Sequence, residues 1–362
     1  MNKKAILILE NGSIFEGYSF GADKEAYGEV IFNTGMAGYQ EMLTDPSYAG
    51  QIIMPTYPMI GNYGINEADF ESERIQAGGL IVREECAEPS HYQSKLTLAE
   101  YLIENGTPAI GGVDTRAITR QIRSYGAMRG IITTKLTPQQ ALGEIMLKPK
   151  YADSVFVKQV SSPTVYDWPS IKCATNKYSV AVLDCGIKFS LLNKLSEMDC
   201  SLKIFPCDTP ADEILRTNPD GILLSPGPGN PELLDDIVEN IKILAQNKPL
   251  MGICLGNLLI GRAFGAQTYK MGFGHHGNNQ PVKELESGRV HITCQNHGFA
   301  LDSDTVTNGL EVSFINLNDG SVEGVRHTEL PVFGVQYYAE ASPDPLDMNY
   351  LFKKFLALID KR

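Results

Sequence analysis

No two cysteines in this 362-residue sequence are spaced C-x-x-C, and the seven present (Cys86, Cys173, Cys185, Cys200, Cys207, Cys254, Cys294) are odd in number. Both facts disfavour a zinc site and a closed disulfide framework, and they fit a reducing cytoplasm. Basic charge is also scarce: 31 Lys and Arg face 43 Asp and Glu, a net charge of −12, which argues against nucleic acid or an anionic membrane as partner. No run approaches the roughly 18 apolar residues of a spanning helix. The opening Met1-Asn2-Lys3-Lys4 leads into Ala5–Leu9, an apolar stretch too brief for a signal peptide core and lacking a small-residue cleavage site. Tryptophan occurs once, at Trp168. What remains, 43% hydrophobic and 20% charged residues over a length suited to two cores, predicts a soluble α/β protein of two domains.

Residues 1–150 are glycine-rich with short β-like runs, Glu29-Val30-Ile31-Phe32 and Gly78-Gly79-Leu80-Ile81-Val82 among them. Helical patterns are fewer: 97–105, 114–125, and a third opening at Thr137-Pro138, with threonine as N-cap and proline at the first helical position. A mixed α+β domain is expected there. Residues 151–177 carry no clear periodicity and read as a linker packed on a domain surface. From 178 to 362 the pattern alternates. Val180–Leu183, Leu202–Phe205, Gly221–Leu224 and Pro249–Ile253 read as strands, with helices at 188–198, 212–217 and 234–246 between them. Such alternation predicts a mostly parallel sheet covered by helices, with ligands gathering at the carboxyl ends of its strands.

One of those strand ends carries Gly252-Ile253-Cys254-Leu255-Gly256. A cysteine on a strand-to-helix elbow between two glycines is exposed by the sharp turn, and the helix beginning near Asn257 favours its thiolate. The N–H of Leu255 can point into an oxyanion hole. A buried core cysteine is the alternative, and the glycines and strand end favour the nucleophile. Ser225-Pro226-Gly227-Pro228-Gly229-Asn230-Pro231, after another strand, is either a tight turn or a loop whose free N–H groups face a substrate. In Gln295-Asn296-His297-Gly298-Phe299 the pattern alone does not choose between recognition of a small polar substrate and a histidine that caps a turn. His275 and His276 are adjacent, so their side chains diverge on a strand; no third ligand follows at useful spacing, and no metal is expected. Glu340, in Gly334–Pro343, reads as an orienting carboxylate or a solvated one.

Together these motifs resemble the class I glutamine amidotransferases of the triad type: a cysteine elbow, a Gly-Pro-Gly loop and a late strand running into an acidic residue. Phe32–Glu41, Thr44-Asp45-Pro46-Ser47-Tyr48, Gly61-Asn62-Tyr63-Gly64 and Gly112-Val113-Asp114-Thr115-Arg116 narrow the resemblance to the small subunits of carbamoyl-phosphate synthetase, over essentially the whole chain. The resemblance implies a ligase subunit that hydrolyses L-glutamine through a Cys254 thioester. The ammonia passes to a large subunit, which makes carbamoyl phosphate for arginine and pyrimidine synthesis in a cytoplasmic heterodimer. It implies no cofactor in this chain, with ATP and divalent metal in the large subunit. It further implies Cys254 as nucleophile, Gly227 and Leu255 as oxyanion donors, and Gly229, Asn296, Gly298 and Phe299 as pocket lining. Ser47 would reach in from the N-terminal domain, and Glu340 would be the acidic triad member.

Five positions depart from that family pattern. Tyr338 stands where the histidine would be, Tyr337 replaces a glycine and Ala339 a proline; Asn257 and Leu258 replace a His-Gln pair whose glutamine touches substrate. A phenol with a pKa of about 10 is a weak base where imidazole, at about 6.5, is well matched. Loss of a positioned acid–base group costs about 10²–10⁴ in rate. Three expectations follow: a glutaminase subunit with impaired hydrolysis, a catalytically silent subunit of an ammonia-using synthetase, or a glutaminase for another synthase, which the N-terminal motifs disfavour.

Overall fold

A computed structural model describes residues 3–169, 177–340 and 349–361. Within the expected linker, 170–176 lie outside the described residues, as do 341–348, which include Ser342 and Pro343 of the last motif. The chain divides between Ser154 and Val155 into two units. Among the described residues no helix is long and apolar enough to cross a membrane.

In the first unit, β1 (Lys4–Leu9), β2 (Ile14–Ser19), β3 (Ala26–Asn33), β4 (Gln51–Pro55), β6 (Gly79–Ile81), β8 (Ala109–Gly111) and β9 (Met128–Thr133) close a barrel in the order β1-β2-β8-β6-β4-β3-β9. A separate two-stranded ribbon pairs β5 (Met59–Ile60) with β7 (Glu84–Glu85). Closure leaves the barrel strands no free edge. Four helices attend it: α1 (Tyr39–Thr44), α2 (Leu98–Glu104), α3 (Thr115–Tyr125) and α4 (Pro138–Leu147). Helices α2 and α4 begin in full capping boxes on Thr97 and Thr137, and the Asp114 side chain accepts from the N–H of Ala117 at the start of α3. Ala141 and Ile145 of α4 are buried against Ile8 and Ile131 of the barrel wall.

The second unit carries a ten-stranded sheet in the order β10-β12-β11-β13-β14-β19-β18-β17-β15-β16. Its parallel centre is β12 (Cys200–Pro206), β11 (Tyr178–Asp184), β13 (Gly221–Leu224), β14 (Leu250–Ile253) and β19 (Val332–Val335). Four of these five, β11 to β14, are the predicted parallel strands. An antiparallel wing extends one side: β15 (Thr268–Glu284), β16 (Val290–Leu301), β17 (Leu310–Asn316) and β18 (Val322–His327). The stretch expected to be only a linker contributes α5 (Val157–Val160) and β10 (Tyr166–Asp167), which pairs antiparallel with β12 at the other edge. The Trp168 indole donates to Asn193 Oδ1 at 3.3 Å, so this segment is tied into the second unit.

Helices α6 (Phe189–Glu197), α7 (Ala211–Arg216), α8 (Asp235–Asn247), α9 (Leu255–Ala263) and α10 (Asn349–Asp360) complete the unit. The period of two along each central strand decides what faces what. Leu223, Met251, Ile253, Phe333 and Val335 share one buried cluster with Leu191, Leu192 and Leu195 of α6 and Leu351, Phe352 and Phe355 of α10. The residues between them, Leu224, Gly252 and Gly334, face α9 instead. A methyl group on Gly252 would come within 2.6 Å of the Gly256 backbone, and one on Gly334 within 2.9 Å of Asn257 Cα. Glycine on both strands therefore lets α9 lie close against the sheet, and this sets the position of its first residues.

Candidate active site

Cys254 occupies the N-cap of α9 with φ 54° and ψ −107°, a conformation a residue with a Cβ rarely takes. Its N–H donates to the Val335 carbonyl at 2.8 Å, so neighbouring β19 helps to hold the bend. Strain of this kind recurs at nucleophile elbows. The residue is buried, and its sulfur sits between two partners: the thiol donates to the Asn296 carbonyl at 3.6 Å, and Gln336 Nε2 donates to the sulfur at 3.8 Å. Gln336 is itself held by Asn257, whose Nδ2 donates to Gln336 Oε1 at 2.9 Å.

Asn296 links the sulfur to the substituted position. While its carbonyl receives the thiol, its Nδ2 donates to Tyr338 Oη at 3.4 Å and its Oδ1 receives His276 Nδ1–H at 2.7 Å. Burial pushes the His276 pKa down to about 4, so the ring is neutral at pH 7 and orients the amide. The Tyr338 N–H donates to the Cys294 carbonyl at 2.9 Å, docking the residues after β19 against β16. Tyr337 turns the other way and packs edge-on against Phe314 in the core.

The ring of Tyr338 has a cation over it. Lys188, at the N-cap of α6, places Nζ 4.0 Å from the ring centroid and 3.0 Å from Glu340 Oε1. The Lys188 and Glu340 side chains are only 4% and 1% exposed. Glu340 is thus no solvated carboxylate. Its Oε2 is buried without a hydrogen-bond partner among the described residues.

Around this centre the other predicted residues fall as follows. A methyl group on Gly227 would lie 2.2 Å from the Cys185 carbonyl oxygen and 2.8 Å from the Leu255 side chain, which brings the Gly-Pro-Gly loop beside the residue after the elbow. Gly229 adopts φ +97°, open to glycine. Leu258 and Phe299 are buried, and Gly298 borders open space. Ser47 belongs to the first unit, where it is buried and its hydroxyl lacks a partner among the described residues. Sequence reasoning passed over Lys188 and Gln336, and it weighed His276 only as a metal ligand, not as the partner of Asn296. A lysine opening a helix carries no signal of burial, and Gln336 was visible only as a strand-end residue.

The CPSase domain of the carbamoyl-phosphate synthase small chain family matches residues 7–132, and the class I glutamine amidotransferase family matches residues 181–358. The chain is similar to the carbamoyl phosphate synthase small chain of Aquifex aeolicus, 44% identical over 99% of both chains. That of Bacillus caldolyticus is 47% identical over 98% of this chain and 96% of its own. The small chain of Methanopyrus kandleri is 45% identical over 98% of this chain and 99% of its own.

Proposed function

The chain belongs to the carbamoyl phosphate synthase small chain family and carries a class I glutamine amidotransferase domain, and from that premise we propose that it binds glutamine at Cys254 but hydrolyses it slowly. In this reading the Cys254 sulfur attacks the substrate's amide carbon. The N–H groups of Gly227 and Leu255 receive the oxyanion, ammonia leaves with an added proton, and water opens the thioester to give glutamate. Gly229, Asn296, Gly298 and Phe299 line the pocket. The ammonia serves a large subunit, which holds the ATP and divalent metal and makes carbamoyl phosphate for arginine and pyrimidine synthesis. No disulfide joins the six described cysteines, which supports the cytoplasm as compartment.

The observation that carries the impairment is the pairing of Glu340 with Lys188 beside Tyr338. A triad needs a base that takes the thiol proton and returns it to the leaving amine, with the acid orienting that base. Here the acid holds an ammonium, and the aromatic ring that replaces the base is a poor proton carrier near pH 7. At Leu258 an apolar side chain meets the substrate, and an amide group left unpaired there costs about 1–3 kcal/mol.

The same ion pair favours a second reading, a silent subunit that supports an ammonia-using synthetase, because it gives the acid a charged partner without any base. Glutamate release from glutamine by the purified chain, alone and with its large subunit, tests the proposal. Tyr338→His is expected to raise that rate by about 10²–10⁴. Wild-type turnover equal to that of a histidine-bearing relative overturns the impairment. No turnover in either form, with full ammonia-dependent synthesis in the complex, selects the silent subunit.

A further inference from the structure

Behind the pocket segment, the second unit buries four oxygen and nitrogen acceptors around one point. His275 Nδ1 lies 3.0 Å from Gln295 Oε1 and 3.2 Å from Glu323 Oε1; His297 Nε2 lies 3.0 Å from the same Gln295 oxygen and 3.9 Å from the same Glu323 oxygen. The ligand atoms of His275, His297 and Glu323 all fall within 4.8 Å of one another, and all three residues are buried. Residues 275 and 276 diverge on β15, as the sequence suggests. The companions of His275 come instead from β16 and β18, 22 and 48 positions along the chain, where spacing does not reveal them.

One amide donor enters this cluster, Asn316 Nδ2, which lies 3.0 Å from Glu323 Oε1 and 3.3 Å from His275 Nδ1. Thr293 Oγ1 donates to the Gln280 carbonyl at 3.0 Å and so receives Gln295 Nε2 at 3.0 Å, which turns Gln295 Oε1 toward the histidines. His297 lies between two acceptors, the Phe299 carbonyl 2.8 Å from Nδ1 and Gln295 Oε1 3.0 Å from Nε2. A neutral imidazole has one N–H to give, so in that form one of the two contacts sets lone pair against lone pair. Glu323 Oε2 adds a further buried oxygen without a hydrogen-bond partner among the described residues.

A metal ion would answer these converging acceptors together, and we infer that His275 Nδ1, His297 Nε2, the Glu323 carboxylate and Gln295 Oε1 form a binding site for a zinc-class divalent cation. A tetrahedron with bonds of about 2.0–2.1 Å has six edges of about 3.3 Å; four of them measure 3.0, 3.2, 3.0 and 3.9 Å here. The outer partners also suit a metal site. His275 Nε2–H donates to Asp319 Oδ2 at 2.8 Å and His297 Nδ1–H to the Phe299 carbonyl, which fixes both tautomers with the inner nitrogens free to ligate. Two imidazoles with oxygen donors suit zinc or a neighbouring first-row ion. The rival without metal is hydrogen bonding alone, with Asn316 Nδ2 shared between Glu323 Oε1 and His275 Nδ1; it leaves His297 Nε2 facing Gln295 Oε1. Bound between β15, β16 and β18, the cation would brace the segment on which Asn296 meets Cys254 and Tyr338.

The test uses the full chain, stripped with a chelator and dialysed against zinc chloride, with bound metal measured by mass spectrometry. About one ion per chain is expected, together with a rise in melting temperature on adding zinc and a tetrahedral visible spectrum with cobalt(II). His297→Gln/Glu323→Gln should lose the ion and the zinc-dependent melting shift, while the exposed His91→Gln should keep both. Because the wild-type stoichiometry and cobalt spectrum stand without any variant, misfolding of the double variant does not rescue the idea. Absence of bound zinc and of any melting shift in the wild type overturns it, as does binding that survives the double substitution in a folded chain.

Discussion

Removing the ammonium from Lys188→Met gives the most direct reading of the substituted site. In the wild type, Nζ lies 3.0 Å from Glu340 Oε1, with both side chains nearly sealed from solvent. At that separation, and at the effective dielectric that suits buried pairs, the attraction is about 5 kcal/mol. Breaking such a pair from one side leaves a buried charge and costs about 3–5 kcal/mol. The variant also removes the cation from the face of Tyr338, whose ring centroid is 4.0 Å away. For a unit of roughly 200 residues each kcal/mol moves the midpoint by about 2–4 °C, so a fall of about 6–20 °C is expected in calorimetry. The partner variant Lys188→Met/Glu340→Leu removes both charges and should recover most of the loss, since an apolar pair of similar volume often matches a buried ion pair. The reasoning is refuted if Lys188→Met melts within about 2 °C of wild type. It is equally refuted if the double variant is no more stable than the single, because the cost would then lie in packing and not in an orphaned carboxylate.

How legible this molecule was depends on where the burial lies. Strands covered on both faces, such as Val180–Leu183 and Gly221–Leu224, announce themselves as unbroken apolar runs, and the elbow glycines mark the turn to α9. The antiparallel wing was opaque because β15 mixes buried histidines with exposed Asn278 and Asn279, and its register slips between Lys270 and His275 and again between Gly277 and Gln280. No single periodicity survives such shifts. Burial of a charge is invisible in the same way. Lys188 has helix-entry composition, and its partner lies 152 residues later, so only the sheet order brings them together. Gln336 escaped notice because its contacts, Asn257 and Cys254, are set by the approach of α9 to the glycines of β14 and β19.

The packing argument predicts opposite signs at two glycines. Gly252→Ala, whose new carbon meets backbone at 2.6 Å, should cost about 1–3 kcal/mol or more in chemical denaturation. Gly143→Ala, inside α4 with nothing within 4 Å, should stabilise by about 0.5–1 kcal/mol in the same assay. The elbow predicts a less usual ordering. Residue 254 sits at φ 54°, where a Cβ costs about 1–3 kcal/mol and glycine costs nothing. Glycine carries about 0.5–1 kcal/mol of extra chain entropy in the unfolded state, so Cys254→Gly should exceed Cys254→Ala in stability by about 0.5–2 kcal/mol. Both variants lose the sulfur and its two hydrogen bonds alike, so their difference isolates the backbone. Urea titration of the pair decides it: an alanine variant more stable than the glycine one means that the bend carries no strain, and the elbow then ceases to distinguish a nucleophile from a core cysteine.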